Sequence, residues 1–219
     1  MIFLVILGII LQTCFIWIEH KEKYVPAVIL KGCASACFVT LGFMCSNCLA
    51  FSSWITMGLV LGMLGDILLN LRYVLKDIGS KIFLIGIFIF MIGHVMYLVA
   101  LLGQAQNIII PIIVGIVLAV LLLIWIFSKV TASKAFKIFG IFYVGTVTLM
   151  AVTAILNFVS FGGTAYALFA IGGILFLVSD IVLIFNTFTG SAKFSMRITN
   201  LSLYYIGQLL IAISLKFVI

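Results

Sequence analysis

Two aspartates lie inside segments of this chain that are otherwise apolar enough to cross a membrane. Asp66 lies in residues 58–70, GLVLGMLGDILLN, and Asp180 lies in residues 172–186, GGILFLVSDIVLIFN. Ionisable side chains in hydrocarbon are costly and usually mark a functional site inside a helix bundle. Two such acids suit acid and base catalysis, because one can stay protonated while the other, near a cation such as Lys31, stays ionised.

The two acidic segments occur at equivalent places in the two halves of the chain. Asp66 and Asp180 are 114 positions apart, and each is followed 28 positions later by a polar residue, His94 or Gln208. Glycines, leucines and isoleucines coincide at the same offset. This pattern predicts an internal repeat of the kind found in membrane proteins. The predicted repeats are residues 1–105 and 106–219.

The composition excludes an ordinary soluble domain. Of the 219 residues, 66% are hydrophobic and 8% are charged, with a mean hydropathy of +1.48; soluble domains have roughly a quarter charged residues. The length leaves room for one membrane domain, residues 1–219. The net charge of +7 does not indicate a nucleic acid partner, because the cations lie in short loops between apolar segments.

The apolar segments predict an all-α integral membrane protein. A spanning helix needs about 20 apolar residues, so this length fits eight helices. The predicted helices are 2–18, 25–43, 50–71, 81–102, 108–127, 137–158, 164–188 and 198–218. Eight helices also fit two repeats of four.

The loop cations predict the orientation of the bundle. Ten of the twelve lysines and arginines lie in or beside the first, third, fifth and seventh loops. By the positive-inside rule these loops are cytoplasmic and both termini lie outside. Each half then has an even number of helices, so the repeats are parallel. We expect a multi-pass protein of a bacterial inner membrane, or of the endoplasmic reticulum in a eukaryote.

Counting from the loop cations places the polar side chains at a common depth. Asp66 lies six residues before Arg72, and Tyr143 lies six residues after Lys137; six helical residues rise about 9 Å. Lys31 lies at a similar distance into the second helix. We therefore expect the polar groups to converge in the cytoplasmic half of the bilayer.

Cysteines offer little sign of a metal site. Cys45 and Cys48 form one CxxC pair, but neither a second pair nor a nearby histidine completes a metal-binding set. We expect no metal and no cofactor.

Several polar motifs together resemble the YhhN-like membrane proteins, which include the lysoplasmalogenases. The motifs are GMLGD at 62–66, IGHVMY at 92–97, YVGTVTLM at 143–150, FLVSD at 176–180 and YYIGQLLIA at 204–212. Each motif alone is weak, but the ordered set is specific and extends from the second predicted helix to the eighth.

The resemblance implies a hydrolase that cleaves the vinyl ether bond of lysoplasmalogen. The products are a fatty aldehyde and a glycerophospho-ethanolamine or -choline, and the partners are the lysophospholipid substrate and membrane lipids. It implies Asp66 and Asp180 as the catalytic pair. The implied substrate-binding residues are Lys31, His94, Tyr97, Tyr143, Ser179, Tyr204, Tyr205 and Gln208. Family members often have Lys-Pro where this chain has Val25-Pro26, which leaves open whether Lys23 or Lys31 binds the lipid phosphate.

Other interpretations remain open at this stage. One aspartate would protonate the vinyl carbon while the other activates water, and the sequence does not assign the roles. The two acids could instead serve a proton-coupled transporter, or only hold helices together in a lipid-binding or scaffold protein. Lys31 could extend to the interface. Of the adjacent Tyr204 and Tyr205, at most one is expected to face the site. Glu19 is interpreted as a solvated loop acid.

Overall fold

The protein is an eight-helix bundle, as the sequence predicts. A computed structural model describes residues 1–47, 49–190 and 192–218, and over these residues it has eight long α-helices and no strand. The helices are α1 (Ile2–His20), α2 (Tyr24–Cys45), α3 (Ala50–Leu71), α4 (Gly79–Gln104), α5 (Ile109–Phe127), α6 (Lys134–Phe161), α7 (Gly163–Phe188) and α8 (Phe194–Ser214). Each is long and apolar enough to cross a membrane. The main differences from prediction are that α8 begins and ends four residues earlier than expected and that α6 is three residues longer at each end.

The loops that carry or adjoin most of the cations meet at one end of the bundle. These loops are 21–23, 72–78 and 128–133, together with the described residues between α7 and α8. The backbone amide of Thr131 donates to the Phe188 carbonyl oxygen at 3.2 Å, and the rings of Tyr24 and Tyr73 stack with centroids 5.2 Å apart. We call this end the cation-rich face.

Six helices form a closed ring, and two lie outside it. In order around the ring, α2, α3, α4, α6, α7 and α8 each pack on the next, and α8 returns to α2. Helix α1 packs mainly on α2, and α5 packs mainly on α6. Most apolar side chains of α5 are exposed, which agrees with the lipid-facing position expected for a helix without ionisable groups.

In each half of the chain, one pair of glycines brings the backbones of two helices into close contact. A Cβ on Gly58 would lie 2.9 Å from the Gly93 carbonyl oxygen, and a Cβ on Gly172 would lie 2.8 Å from that of Gly207. Small residues at such crossings let membrane helices pack closely. The two contacts, α3 on α4 and α7 on α8, are related by the same offset as the two aspartates. They support the internal repeat, which stays a prediction.

An aromatic cluster fills the ring below the cation-rich face. The Tyr204 ring packs against Phe176 and Phe90, with centroid distances of 5.3 and 5.9 Å. Phe176 is fully buried, whereas Phe90 and Tyr204 also border the polar cavity described next. The cluster therefore forms one wall of that cavity.

Candidate functional site

Both intramembrane aspartates line one cavity near the cation-rich face. The cavity has a volume of about 50 Å³, and Asp66 and Asp180 are only 4% and 5% exposed. It is lined by Lys31, Asp66, Leu69, Asn70, Arg72, Phe83, Phe90, Tyr143, Ser179, Asp180, Leu183, Arg197, Asn200, Leu201 and Tyr204. Four sequence-predicted binding residues, Lys31, Tyr143, Ser179 and Tyr204, are among them.

Asp66 is surrounded by donors from two other helices. The Lys31 Nζ atom of α2 lies 3.3 Å from one carboxylate oxygen. The other oxygen accepts hydrogen bonds from the Ser35 hydroxyl and, at 2.7 Å, from the Tyr204 hydroxyl of α8. A cation and two hydroxyl donors all stabilise the ionised carboxylate. Asp66 is therefore held as one member of a buried ion pair.

Lys31 is held in the bundle by contacts with α1 and α8. Its Nζ atom donates to the Gln12 side-chain oxygen at 3.3 Å and lies 4.5 Å from the centre of the Tyr204 ring. Gln12 in turn donates to the Leu201 carbonyl oxygen at 3.4 Å. Because Lys31 is 1% exposed, the alternative that it extends to the membrane interface is wrong.

Asp180 has far fewer partners than Asp66. Its carboxyl group accepts one hydrogen bond, from the Tyr143 hydroxyl of α6 at 2.8 Å. Among the described residues, no lysine or arginine forms an ion pair with it. A buried carboxyl without a cation is most easily accommodated in its neutral, protonated form.

Ser179, next to Asp180, fixes α7 against α8. Its hydroxyl donates to the Asn200 carbonyl oxygen at 2.9 Å, and the Asn200 amide donates to the Ser179 hydroxyl at 2.8 Å and carbonyl at 3.0 Å. Both side chains are buried. The pair orients the helix turn that carries Asp180, so Ser179 has a structural role in addition to lining the cavity.

Two arginines border the cavity at the cation-rich face, in different surroundings. Arg197 forms a two-point ion pair with Glu19, at 2.6 and 2.9 Å, and its guanidinium lies 3.4 Å from the Asn70 side-chain oxygen. The interpretation of Glu19 as a solvated loop acid is therefore wrong: it ends α1 and is paired.

Among the described residues, no acid forms an ion pair with Arg72. Arg72 donates to the Tyr73 hydroxyl at 2.6 Å, and its guanidinium carbon lies 4.0 Å from the centre of the Phe83 ring. Burial lowers the pKa of this guanidinium from its ordinary value, but arginine remains protonated in proteins. Arg72 is thus a charged group held by aromatic contacts at the cavity border.

The remaining predicted binding residues lie outside the cavity. The Tyr97 hydroxyl donates to the Gln208 side-chain oxygen at 2.9 Å, and Tyr205 donates to the Ala34 carbonyl oxygen at 2.6 Å. His94 Nδ1 lies 2.7 Å from the Phe90 carbonyl oxygen. These four side chains support the cavity wall and do not border the space between the aspartates.

His94 keeps one unsatisfied atom. Its Nδ1 must carry a proton to bond a carbonyl, which makes Nε2 an acceptor in the neutral ring. Nε2 is buried and has no partner among the described residues. The bond to the Phe90 carbonyl oxygen therefore fixes the orientation of the His94 imidazole in the cavity wall. The Nε2 atom remains an acceptor without a partner among the described residues.

Five polar residues that line the cavity or bond to Asp66 were not predicted from sequence. These are Ser35, Asn70, Arg72, Arg197 and Asn200. Ser35 and Asn70 follow Lys31 and Asp66 by four positions, so helical spacing could have placed them on the same faces. The arginines were interpreted only as loop charges that set topology. Nothing local distinguishes a topological arginine from one that borders a cavity.

An apolar cleft between α4, α6 and α7 adjoins the polar cavity. It has a volume of about 60 Å³ and shares Leu69, Phe83, Phe90, Tyr143 and Leu183 with the cavity. Its other lining residues are almost all apolar, and they include Ile87, Phe136, Ile184 and Phe188. The cavity that holds the aspartates thus shares wall residues with a space lined mainly by apolar side chains.

No group of three or more His, Cys, Asp or Glu side chains suited to a metal ion is found in the part of the chain that the structure describes. Of the CxxC pair, Cys45 is buried in α2, and Cys48 lies outside the described residues.

The fold and site define a multi-pass membrane protein with a buried acid pair at the end of its bundle. The model of the YhhN family matches residues 3–215, nearly the whole chain. The chain therefore belongs to the YhhN family, as its motifs indicated. No curated protein and no solved structure matches it.

Proposed function

We propose that this protein is a membrane-embedded hydrolase that cleaves the vinyl ether bond of lysoplasmalogen. The products would be a fatty aldehyde and a glycerophospho-alcohol. The observation that carries the proposal is that two buried acids with different partners line the same cavity. Membership of the YhhN family is consistent with this activity.

The different partners suggest which aspartate is the base. Asp66 contacts Lys31 and two hydroxyl donors, so we assign it the ionised state. A carboxylate in this position can take a proton from water and can stabilise a developing positive charge. Oxocarbenium-like transition states of acetal hydrolysis are stabilised by a neighbouring carboxylate in the same way.

Asp180 is then the general acid. Its single hydrogen bond comes from Tyr143, and the lack of a paired cation among the described residues favours a neutral carboxyl group. The Tyr143 hydroxyl donates to one carboxyl oxygen of Asp180. The other oxygen is left to carry the proton toward the substrate.

The reaction balances with these two groups and one water. Asp180 gives its proton to the vinyl carbon remote from the ether oxygen, and the double bond electrons form that C–H bond and leave an oxocarbenium ion. Asp66 removes a proton from water as the water oxygen bonds to the cationic carbon. The resulting hemiacetal loses its hydroxyl proton to Asp180, and Asp66 returns its proton to the leaving glycerol oxygen. The C–O bond breaks and both acids regain their starting states.

The apolar cleft offers a position for the alkenyl chain. Because it shares wall residues with the cavity, a chain in the cleft would place its first carbons beside the aspartates. The cavity volume of about 50 Å³ holds one or two waters, so a bound lipid must displace side chains. Phe90 borders both spaces and is the side chain that we expect to move.

The cation-rich face would be cytoplasmic. Ten of the twelve lysines and arginines lie in or beside the loops at this face, which by the positive-inside rule would place both termini outside. The site would then open toward the inner leaflet, in a bacterial plasma membrane or in the endoplasmic reticulum of a eukaryote.

Aldehyde release from detergent-solubilised protein tests the proposal. Purified protein is mixed with alkenyl lysophospholipid, and the aldehyde is measured by coupled reduction with NADH. Asp66→Asn and Asp180→Asn should each abolish most of the release. Asp77→Asn, which removes an exposed loop acid, is the matched control. Unchanged release by both site variants, or none by the wild type, contradicts the proposal.

A proton-coupled transporter is the second candidate, because polar groups also lead away from Asp66 toward the opposite face. Tyr204 bonds Asp66, and Gln208 bonds Tyr97. The Tyr97 ring packs on Phe169 at 5.9 Å, and Phe169 lines a cavity of about 500 Å³ at the opposite end. Substrate movement in proteoliposomes that depends on a proton gradient, without aldehyde release, would favour this candidate.

A further inference from the structure

The charged side chains of the cavity do not balance. Lys31 is paired with Asp66, and Arg197 is paired with Glu19. Asp180, as the general acid, is neutral. Arg72 is the remaining basic side chain of the lining, and among the described residues it forms no ion pair. The cavity border therefore carries one uncompensated positive charge.

The Arg72 side chain has an open hydrogen-bonding capacity. Its Nε atom is buried and has no partner in the described part of the chain. The Tyr73 and Phe83 rings hold the guanidinium in place, at 4.6 and 4.0 Å from its carbon to the ring centres. Guanidinium groups held in this way are suited to two-point binding of phosphate oxygens.

Arg72 also lies between the cavity and an open pocket on the cation-rich face. That pocket has a volume of about 360 Å³, and Lys76 and Ser80 line it together with Arg72. The cavity with the two aspartates thus shares walls both with the apolar cleft and, through Arg72 and Phe83, with the open pocket. A lysophospholipid has parts that suit these three spaces, with a chain, an ether bond, and a phosphate that carries a polar headgroup.

We propose that Arg72 binds the phosphodiester of the lysolipid and thereby places its ether bond between the two aspartates. This inference rests on the proposed function and adds its recognition element. One phosphodiester charge would neutralise the unpaired arginine, and the headgroup beyond the phosphate would occupy the open pocket. Lys31, one of the two lysines that the sequence left open for the phosphate, is already paired with Asp66.

A comparison of two substrates tests this role in the intact protein. Arg72→Gln is assayed with alkenyl lysophospholipid and with 1-alkenylglycerol, which lacks the phosphate. A lost hydrogen bond to a charged group should lower kcat/KM for the phospholipid by about 10- to 100-fold, with a much smaller loss for the alkenylglycerol. Arg72→Lys, which keeps the charge but not the two-point geometry, should recover part of the phospholipid activity.

Lys81→Gln is the matched control. Lys81 is an exposed cation near the same loop and does not line the cavity or the open pocket. It should leave both substrates within about twofold of wild type. Equal losses of Arg72→Gln on the two substrates, or no loss on either, overturn the proposal.

A binding measurement separates this inference from the proposed reaction. An alkyl ether lysophospholipid, which has no vinyl bond to cleave, should raise the Tm of wild-type protein more than 1-alkylglycerol does. Arg72→Gln should remove that difference. Inorganic phosphate at equal concentration should not reproduce it; equal stabilisation by free phosphate would assign the site to the free ion and overturn the lipid role. If this binding pattern is observed but no aldehyde is released, the proposed reaction is rejected and the phosphate-binding role of Arg72 is retained.

Discussion

The two acidic sites share a scaffold but differ in their charged partners. Each aspartate lies on a helix that makes a glycine-mediated close approach to the next helix, Gly58 with Gly93 and Gly172 with Gly207. Asp66 nevertheless has a cation and two hydroxyl donors, and the other acid has one tyrosine. The backbone arrangement is duplicated, but the electrostatic environment is not.

The difference can be traced to single positions of the predicted repeat. At the offset of 114, Lys31 corresponds to Gly145 and Ser35 corresponds to Leu149. The second half thus lacks the groups that would stabilise an ionised Asp180. Two acids on similar helices can in this way hold opposite protonation states, which a general acid and a general base require.

Removing either carboxyl group should have the largest effect on activity. Asp66→Asn and Asp180→Asn are each expected to reduce aldehyde release by about 10²- to 10⁴-fold, because a general acid or base contributes this much. Single-turnover aldehyde release measures the effect, and Asp77→Asn serves as control. Full activity in one variant would show that only one half of the molecule performs chemistry.

Stability should respond unequally to the same two substitutions. Asp66→Asn leaves Lys31 as a buried unpaired charge and should cost about 3–5 kcal/mol. Asp180→Asn disturbs one hydrogen bond and should cost about 1 kcal/mol. Reversible unfolding in mixed detergent micelles measures both.

A double variant provides the control for the unequal stability losses of Asp66→Asn and Asp180→Asn. Lys31→Met with Asp66→Asn removes both charges and should recover most of the stability lost by Asp66→Asn. Equal losses for the two single variants, or no recovery in the double variant, would mean that the charge environments of the two halves do not differ as the contacts indicate.

Equal effects are expected at the duplicated glycines. Gly58→Ala and Gly172→Ala each place a methyl group against a carbonyl oxygen of the neighbouring helix, and the methyl group of Gly58→Ala also meets the Tyr97 ring. Each should destabilise the protein by about 1–3 kcal/mol. Gly145→Ala is the control, because a Cβ there has no neighbour within 4 Å. A large difference between Gly58→Ala and Gly172→Ala would argue against a shared scaffold.

The smallest predicted effect concerns the two tyrosines that bond the acids. Tyr143→Phe removes the hydrogen bond of Asp180 and should lower kcat by about tenfold, at the upper end for one hydrogen bond. Tyr204→Phe leaves Lys31 and Ser35 on Asp66 and should cost only about twofold. Steady-state assays measure both effects, with Tyr166→Phe as the control. The reverse order would mean that Lys31 and Ser35 do not compensate for the lost Tyr204 bond, contrary to the contacts of Asp66.

Much of the fold could be predicted, because the signal for each helix is local. The apolar lengths gave eight helices, and the loop cations gave a face on which the polar groups should converge. Asp66, Asp180, Lys31, Tyr143, Ser179 and Tyr204 do line a cavity near that face. The family resemblance is borne out by the match over residues 3–215.

The contacts within the site were less accessible to sequence reasoning. Glu19 and Arg197 are separated by 178 positions and meet only because α1 and α8 pack together. Four predicted residues belong to the same motifs as the cavity residues but lie in the surrounding wall, because of their positions around their helices. These are His94, Tyr97, Tyr205 and Gln208. A motif identifies polar residues but does not give the direction in which each side chain faces.

The sequence by itself determined the number of helices and the common offset of the two acids, because these depend on residue spacing and on the length of apolar helix that a membrane requires. Only the tertiary structure decided that Lys31 neutralises Asp66, that Asp180 has no paired cation among the described residues, and that Arg72 borders the cavity unpaired. The reason is physical: ion pairs and cavities depend on how separate helices rotate and approach one another, and no segment of the chain encodes that alone.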